Sequence, residues 1–383
     1  MIELTPEIAA KMAQDVYGVQ TKAGLTVFLM KPEFSGDAAN KQGLTARMGG
    51  ALFCRKEDSF GICAMGGKGF ENDMFLIFRG TNSEKSADII TDARIGLEPS
   101  KTGLPVHIGF NQAFKSMLEE IKQFIKQHEK NVKTFHVIGH SLGGAVATLM
   151  ADWLKSNKAG SVKVYTFGSP KVGLLIFNSV FTRKMKKENI YRVYHPTDPV
   201  PMVPLFPYLH SPLPGYGYFV PGQDSRISVS AHSIELYVQT VGKTSWSGLQ
   251  RRPPIYALED MLMQWLHSDV PVSATTPKIW EWLNSALIYV LKKVTGLTVA
   301  GVQALLIVGD SFADKVAYIL RKGIELYEHA TIWVQLLMDK IMQVLGKKRI
   351  QKKEELTRDV MRNALQDIIH KTNEEARKAI MRE

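Results

Sequence analysis

The chain has 383 residues, of which 45% are hydrophobic and 22% are charged, and it contains only 2 cysteines. A domain usually takes about 100–200 residues, so this length predicts two domains, or one large domain with an appendage. So few cysteines exclude a disulfide scaffold and a four-cysteine zinc module, while the net charge of +11 favours an anionic partner.

The amino terminus has the pattern of a folded helix rather than of a secretion signal. A Sec signal would show a basic start and an apolar run, but acidic side chains occur within the first 20 residues. Thr5, Pro6 and Glu7 predict the N-cap and first turn of a helix. We therefore expect a cytoplasmic location in the producing cell, with export, if any, by a route other than Sec.

Residues 51–245 alternate short apolar runs with helical patterns, which is the order of an α/β protein with a largely parallel sheet. An apolar stripe from Phe114 to Ile125 predicts a helix between two of the strands. The runs that predict strands are Gly61–Met65, Met74–Phe78, Thr134–Ile138, Val162–Phe167 and Ile190–Tyr194.

From Trp246 onward the patterns are helical and no run predicts a strand. We expect an α/β domain over residues 1–245 and an all-helical region over residues 246–383, with the boundary near Pro253-Pro254. The uncharged stretch Val294–Gly309 is shorter than the roughly 20 residues of a spanning helix, so a transmembrane helix is not expected. The strongest helical patterns are Ala286–Lys293, Leu297–Val308, Lys315–Tyr327 and Thr331–Leu345.

The segment Gly139-His140-Ser141-Leu142-Gly143 matches G-x-S-x-G, the pattern of a nucleophile elbow. An apolar strand leads into it and a helix rich in small residues leads out. Such a turn projects the serine oxygen above the sheet, while the glycines let strand and helix pass closely. The alternative is a glycine-rich turn with an idle serine.

A nucleophilic serine needs a base, and the base needs a carboxylate that orients it. Asp198 follows a predicted strand, where an α/β sheet presents functional groups. His232 precedes a short amphipathic helix and is the best-placed base. His210, in a proline-rich loop, is the alternative, and the later histidines fall in the helical region: His267, His329 and His370.

At these residues the sequence resembles the class 3 lipases, also called fungal-type lipases, over about residues 45–245. The resemblance implies an α/β-hydrolase fold and a triad of Ser141, Asp198 and His232. Besides the elbow, it rests on five ordered motifs, which are Phe78–Thr81, Val106–Phe110, Thr166–Gly173, Asp198–Pro201 and His232–Ser233.

The same resemblance implies an oxyanion hole and a lid. The backbone N–H of Thr81, helped by its hydroxyl, and the N–H of Leu142 are the expected donors to the oxyanion. The segment Ala87–Leu97 corresponds to the lid, and Asp92 to the residue that orients the oxyanion side chain. A solvated acid on a helix is the alternative for Asp92.

The leading hypothesis is thus a serine-dependent hydrolase of a lipid ester, a triacylglycerol lipase or phospholipase A, that needs no cofactor and no metal. A looser resemblance to bacterial type VI lipase effectors implies phospholipid substrates and a dedicated immunity protein. The basic run Lys347–Lys353 suggests contact with an anionic membrane surface or, alternatively, a solvated helix face. Nucleic-acid binding is not expected. The competing hypothesis is a membrane-binding or partner-docking protein with a vestigial hydrolase core.

Overall fold

The computed structural model carries one large sheet, covered on both faces, and a group of helices packed beside it. Statements about the structure refer to the residues that it describes, which are 3–37, 41–48, 56–80, 96–128, 130, 132–157, 159–213, 216–221, 226–276, 278–306, 311–350 and 352–382.

The large sheet has eight strands in the order β1-β2-β3-β6-β7-β8-β9-β10. Within this sheet the strands β3, β6, β7, β8 and β9 pair in parallel, while β1, β2 and β10 run antiparallel to their neighbours. The sheet strands are β1 Lys41–Met48, β2 Lys56–Met65, β3 Asp73–Phe78, β6 Thr134–His140, β7 Ser161–Phe167, β8 Ile190–Tyr194, β9 Gly217–Phe219 and β10 Gln250–Arg252. Two further strands, β4 Leu97–Pro99 and β5 Pro105–His107, form a separate antiparallel pair.

The two faces of the sheet bury alternate side chains of the same strands, as the two-residue period of a strand requires. In β3, Leu76 faces one core cluster and Ile77 faces the other. The helices of the first face are α3 Ile108–His128, α4 Leu142–Ser156 and α5 Leu175–Met185, and those of the second are α1 Pro6–Asp15, α2 Lys22–Leu29 and α6 Ile234–Val241. The predicted N-cap of α1 is confirmed, since the Thr5 hydroxyl accepts from the Ile8 N–H at 3.2 Å.

The later helices enclose a third apolar cluster, which also takes in side chains of the loop after β8, among them Met202, Phe206 and Leu209. These helices are α7 Glu259–His267, α8 Ile279–Thr295, α9 Val299–Leu306, α10 Phe312–Leu326, α11 Glu328–Leu345 and α12 Arg358–Met381. Within the described ranges, no single helix is long and apolar enough to cross a membrane. Helices α8 and α9 meet the criterion only as a pair, and they are bent by 92°.

The α/β-hydrolase core with a helical carboxyl-terminal region agrees with the prediction, with one correction. Strand β10 lies beyond Trp246 and pairs with β9, so the later region also supplies an edge strand to the sheet. A three-residue strand with three exposed side chains carries no apolar pattern that the sequence could reveal. The division into residues 1–245 and 246–383 stays a prediction.

Candidate active site

Ser141 occupies a strained turn between β6 and α4. Its φ of 52° and ψ of −129° are unusual for a residue with a side chain. The surrounding glycines make the turn sterically feasible, because a Cβ at Gly139 would lie 2.1 Å from the Gly143 oxygen. At Gly143 a Cβ would lie 2.3 Å from the Phe78 oxygen. The predicted elbow geometry is therefore present.

The structure brings Ser141, His232 and Asp198 together although they are far apart in sequence. His232 Nε2 lies 2.8 Å from Ser141 Oγ, and His232 Nδ1 lies 2.9 Å from Asp198 Oδ2. A carboxylate only accepts, so Nδ1–H donates to Asp198 and Nε2 is left to accept from the serine hydroxyl. All three residues are 0% exposed. This arrangement can activate the serine oxygen as a nucleophile.

Asp198 is held by two donors besides His232. The Tyr237 hydroxyl donates to Asp198 Oδ2 at 2.7 Å, and the Val200 N–H donates to Oδ1 at 2.9 Å. Gly168 passes beside the same carboxylate with a φ of +56°, and a Cβ there would lie 2.9 Å from Asp198 Oδ2. Sequence reasoning did not identify Tyr237. The available signal was its position on the short helix that follows His232.

Two further histidines support the turn that carries His232. His140 Nε2–H donates to the His232 carbonyl at 2.9 Å, while its Nδ1 accepts from the Tyr17 hydroxyl at 2.7 Å. Burial, with His232 nearby, holds the pKa of His140 well below its usual value, so this ring is neutral. His195 Nδ1–H donates to the Ala231 carbonyl at 2.7 Å, and burial lowers its pKa as well.

The alternative base, His210, makes a different contact. Its Nε2–H donates to the Pro201 carbonyl at 2.7 Å, and burial holds its pKa well below the usual value. Lys171 holds the same loop, since its Nζ donates to the Pro204 carbonyl at 3.0 Å. Burial lowers the pKa of Lys171 to about 7. Both side chains therefore stabilise the loop that follows Asp198, by hydrogen bonds to its carbonyl groups.

The predicted oxyanion site is described only in part. Leu142 is the first residue of α4, so its backbone N–H is among those with no acceptor within the helix. Thr81, Asp92 and most of the predicted lid lie outside the described residues. The preceding Arg79 is 1% exposed and donates to the Ser59 carbonyl at 2.6 Å. In the part of the chain that is described, no group of three or more His, Cys, Asp or Glu could hold a metal ion.

Comparison with known proteins gives the same family as the motifs. The profile of the family described as lipase (class 3) matches residues 75–208, a segment that holds Ser141 and Asp198. Residues 75–208 are thus similar to the class 3 lipase family. His232 and the later helices lie beyond the matched segment.

The similar lipases match only part of the chain. A secreted mono- and diacylglycerol lipase of Fusarium solani is 40% identical over 113 residues, which are 28% of this chain and 33% of that protein. A lipase of Rhizopus niveus is 30% identical over 177 residues, 43% of each chain. The chain thus spans less than half the length of these relatives. Among solved structures, nonglycosylated Yarrowia lipolytica LIP2 lipase is 22% identical, with a TM-score of 0.43 over 56% of this chain and 78% of that one.

The relatives correct the predicted location. Those from Fusarium solani and Penicillium cyclopium are named secreted lipases, which points to an extracellular rather than a cytoplasmic protein. The prediction from the first 20 residues is therefore wrong. The prediction was based on the pattern of helix Pro6–Asp15. This helix packs into the core of the protein, so its pattern reflects the fold and carries no information about export.

Proposed function

We propose that this protein is a serine-dependent hydrolase of lipid esters. The observation that carries the proposal is the continuous chain of hydrogen bonds from Ser141 Oγ through the His232 ring to Asp198. Ser141 lies in the strained turn described above, and its side-chain oxygen is at the amino end of α4. A helix amino terminus favours negative charge, which is the charge that develops when an ester carbonyl is attacked.

The proposed reaction has two stages. Ser141 Oγ attacks the ester carbonyl while His232 Nε2 takes its proton, and the alcohol leaves with that proton to give an acyl-enzyme. Water, deprotonated by the same nitrogen, then attacks the acyl carbon. The bond from that carbon to Ser141 Oγ breaks, the fatty acid is released, and His232 returns the proton to Oγ. Asp198 keeps the imidazole in the tautomer with Nδ1–H, while the N–H groups of Leu142 and Thr81 hold the oxyanion. The role of Thr81 rests on the family motif Phe78–Thr81.

The substrate class we propose is an acyl ester of glycerol. It is supported by relatives that are named mono- and diacylglycerol lipases and by the similarity of residues 75–208 to the class 3 family. Relatives named as secreted support action outside the cell. Phospholipase activity, an effector role and an immunity protein stay predictions from the sequence.

A fluorophosphonate probe tests the proposal directly, because it labels only an activated serine. We expect labelling of the protein at Ser141, none in Ser141→Ala, and release of fatty acid from diacylglycerol measured by lipid mass spectrometry. A folded protein that is not labelled and releases no fatty acid would overturn the proposal. Binding to lipid vesicles without either activity would favour the alternative of a vestigial hydrolase core.

A further inference from the structure

Helix α12 joins the two parts of the molecule. In its first half, buried side chains such as Leu365 and Ile368 belong to the cluster of the later helices. In its last turns, Ala376, Ala379 and Ile380 belong instead to the core of the sheet and its helices. The helix therefore ends within the hydrolase core.

Helix α12 lies beside the loops that carry the triad. The helix packs against the short turns Val200–Met202 and Val229–His232. The first turn begins two residues after Asp198, and the second ends at the base itself. Ala376 and Ile380 are 0% exposed. Ala376, Ala379 and Ile380 belong to the same apolar cluster as Val200 and Val229 of these turns.

An acyl chain attached to Ser141 requires an apolar surface next to the triad. The apolar side chains adjacent to triad members in sequence include Leu142 and Val200, both 0% exposed, and the partly buried Val229. These residues share one cluster with Ile380. The last turns of α12 and the apolar residues near the triad are therefore buried in the same cluster.

The opposite side of the same turns is charged. Lys378 pairs with Glu374 at 3.0 Å and with Glu375 at 3.1 Å, and its side chain is 52% exposed. The end of α12 is thus an amphipathic segment whose apolar side is buried in the hydrolase core and whose charged side faces water.

We propose that the last turns of α12, from Ala376 to Ile380, cover the acyl-chain site, so that Ile380 limits the length of the acyl chain that the enzyme accepts. This inference rests on the proposed function. The matched family segment ends at residue 208, so the family resemblance does not account for this helix. A long acyl chain has to displace the Ile380 side chain, whereas a short chain ends before reaching it.

The test compares kcat/KM for p-nitrophenyl decanoate with kcat/KM for p-nitrophenyl butyrate. In Ile380→Ala we expect the ratio of the two to rise about tenfold, because the substitution removes the branched part of the obstructing side chain. Ile380→Val should shift the ratio in the same direction by less, and it carries the test if the alanine variant does not fold.

Ile368→Ala is the matched control, because it removes the same side chain from the same helix but in the other cluster. It should lower the thermal unfolding temperature and leave the ratio unchanged. Equal ratios in Ile380→Ala, Ile380→Val and the parent, with butyrate hydrolysis intact, would overturn the inference alone. A similar rise in Ile368→Ala would also overturn it, because the effect would then come from general loosening. Absence of butyrate hydrolysis and of fluorophosphonate labelling in the folded parent would instead defeat the proposed function.

Discussion

The hydroxyl of Tyr237 donates to Asp198 Oδ2 at 2.7 Å and accepts from the backbone N–H of His195 at 3.1 Å. One buried phenol thus ties the carboxylate of the triad to the end of the strand that precedes it. Burial, followed by the nearby Asp198 charge, raises the pKa of Tyr237 well above its usual value, so it stays a donor throughout the working pH range.

Tyr237→Phe should lower kcat while leaving KM close to the parent value. A hydrogen bond to a charged group is worth about 1.5–3 kcal/mol, which corresponds to a loss of about 10–150-fold if it acts through Asp198. Steady-state kinetics with a soluble short-chain ester measure this. Tyr191→Phe is the control, since the Tyr191 ring lies away from the triad. It stacks on the Tyr165 ring, with the two ring centroids 4.7 Å apart. A kcat within twofold of the parent would mean that the hydroxyl does not act through Asp198.

Ser141→Ala should abolish ester hydrolysis and leave the fold intact, because the substitution removes one small side-chain atom. Triad residues act as a unit, so the loss in kcat is expected to be about a million-fold. His232→Ala should be similarly severe. His210→Ala should be mild, because its ring contacts the Pro201 carbonyl rather than the serine. Equal losses for the two histidine variants, with circular dichroism unchanged, would contradict the assignment of His232 as the base.

The free energy of unfolding should fall as the pH is lowered from about 7 to 5. Burial lowers the pKa values of His136, His140 and His195 in the folded protein. Below the unfolded value of about 6.5, the unfolded chain binds protons that the folded chain does not. Each such histidine then lowers the free energy of unfolding by up to about 1.4 kcal/mol per pH unit. Above pH 7 none of them contributes to this pH dependence.

Urea unfolding at several pH values measures this slope. His136→Gln should reduce the slope between pH 6.5 and 5 by up to the contribution of one bound proton. This expectation holds whatever the substitution does to the absolute stability. An identical slope in the parent and in His136→Gln would show that His136 takes up its proton in the folded state as well.

The described residues of the basic run lie between α11 and α12, where Lys347–Ile350 follow the end of α11 and Lys353 begins a short 3₁₀ helix. Lys347 pairs with Asp367, and Arg349 pairs with Asp339 at 2.9 Å, whereas Lys348 and Lys353 are exposed. We expect Lys348→Gln with Lys353→Gln to weaken binding to anionic vesicles, since each charge near such a surface contributes about 1 kcal/mol.

Vesicle co-sedimentation at several salt concentrations tests this expectation. Hydrolysis of a soluble short-chain ester should stay at the parent level in the double variant. The control removes two exposed lysines elsewhere, Lys186 and Lys187. If both double variants bind equally well, the run has no special role and the protein responds only to net charge.

The features that the sequence predicted are those encoded by neighbouring residues. The elbow at Ser141 needs glycines next to it in the chain, and strands such as Thr134–His140 carry a continuous apolar run because both faces are buried. The contact of Tyr237 with Asp198 joins residues 39 apart, and beyond the place of Tyr237 on the helix after His232 no local pattern marks it.

One later element escaped prediction for a related reason. Strand Gln250–Arg252 is exposed and is defined only by its pairing with Gly217–Phe219, a partner distant in sequence that local periodicity does not report. Helix Arg358–Met381 lies in the region that was predicted to be helical. Its buried face combines small side chains, such as Ala376, with larger ones, such as Leu365.

The order of the triad along the chain has a consequence for synthesis. Ser141 leaves the ribosome well before His232, which lies 91 residues later. Since domains fold progressively from the amino terminus during synthesis, Ser141 is made long before His232 exists. The proposed hydrolase activity therefore cannot arise until the polypeptide has passed residue 232.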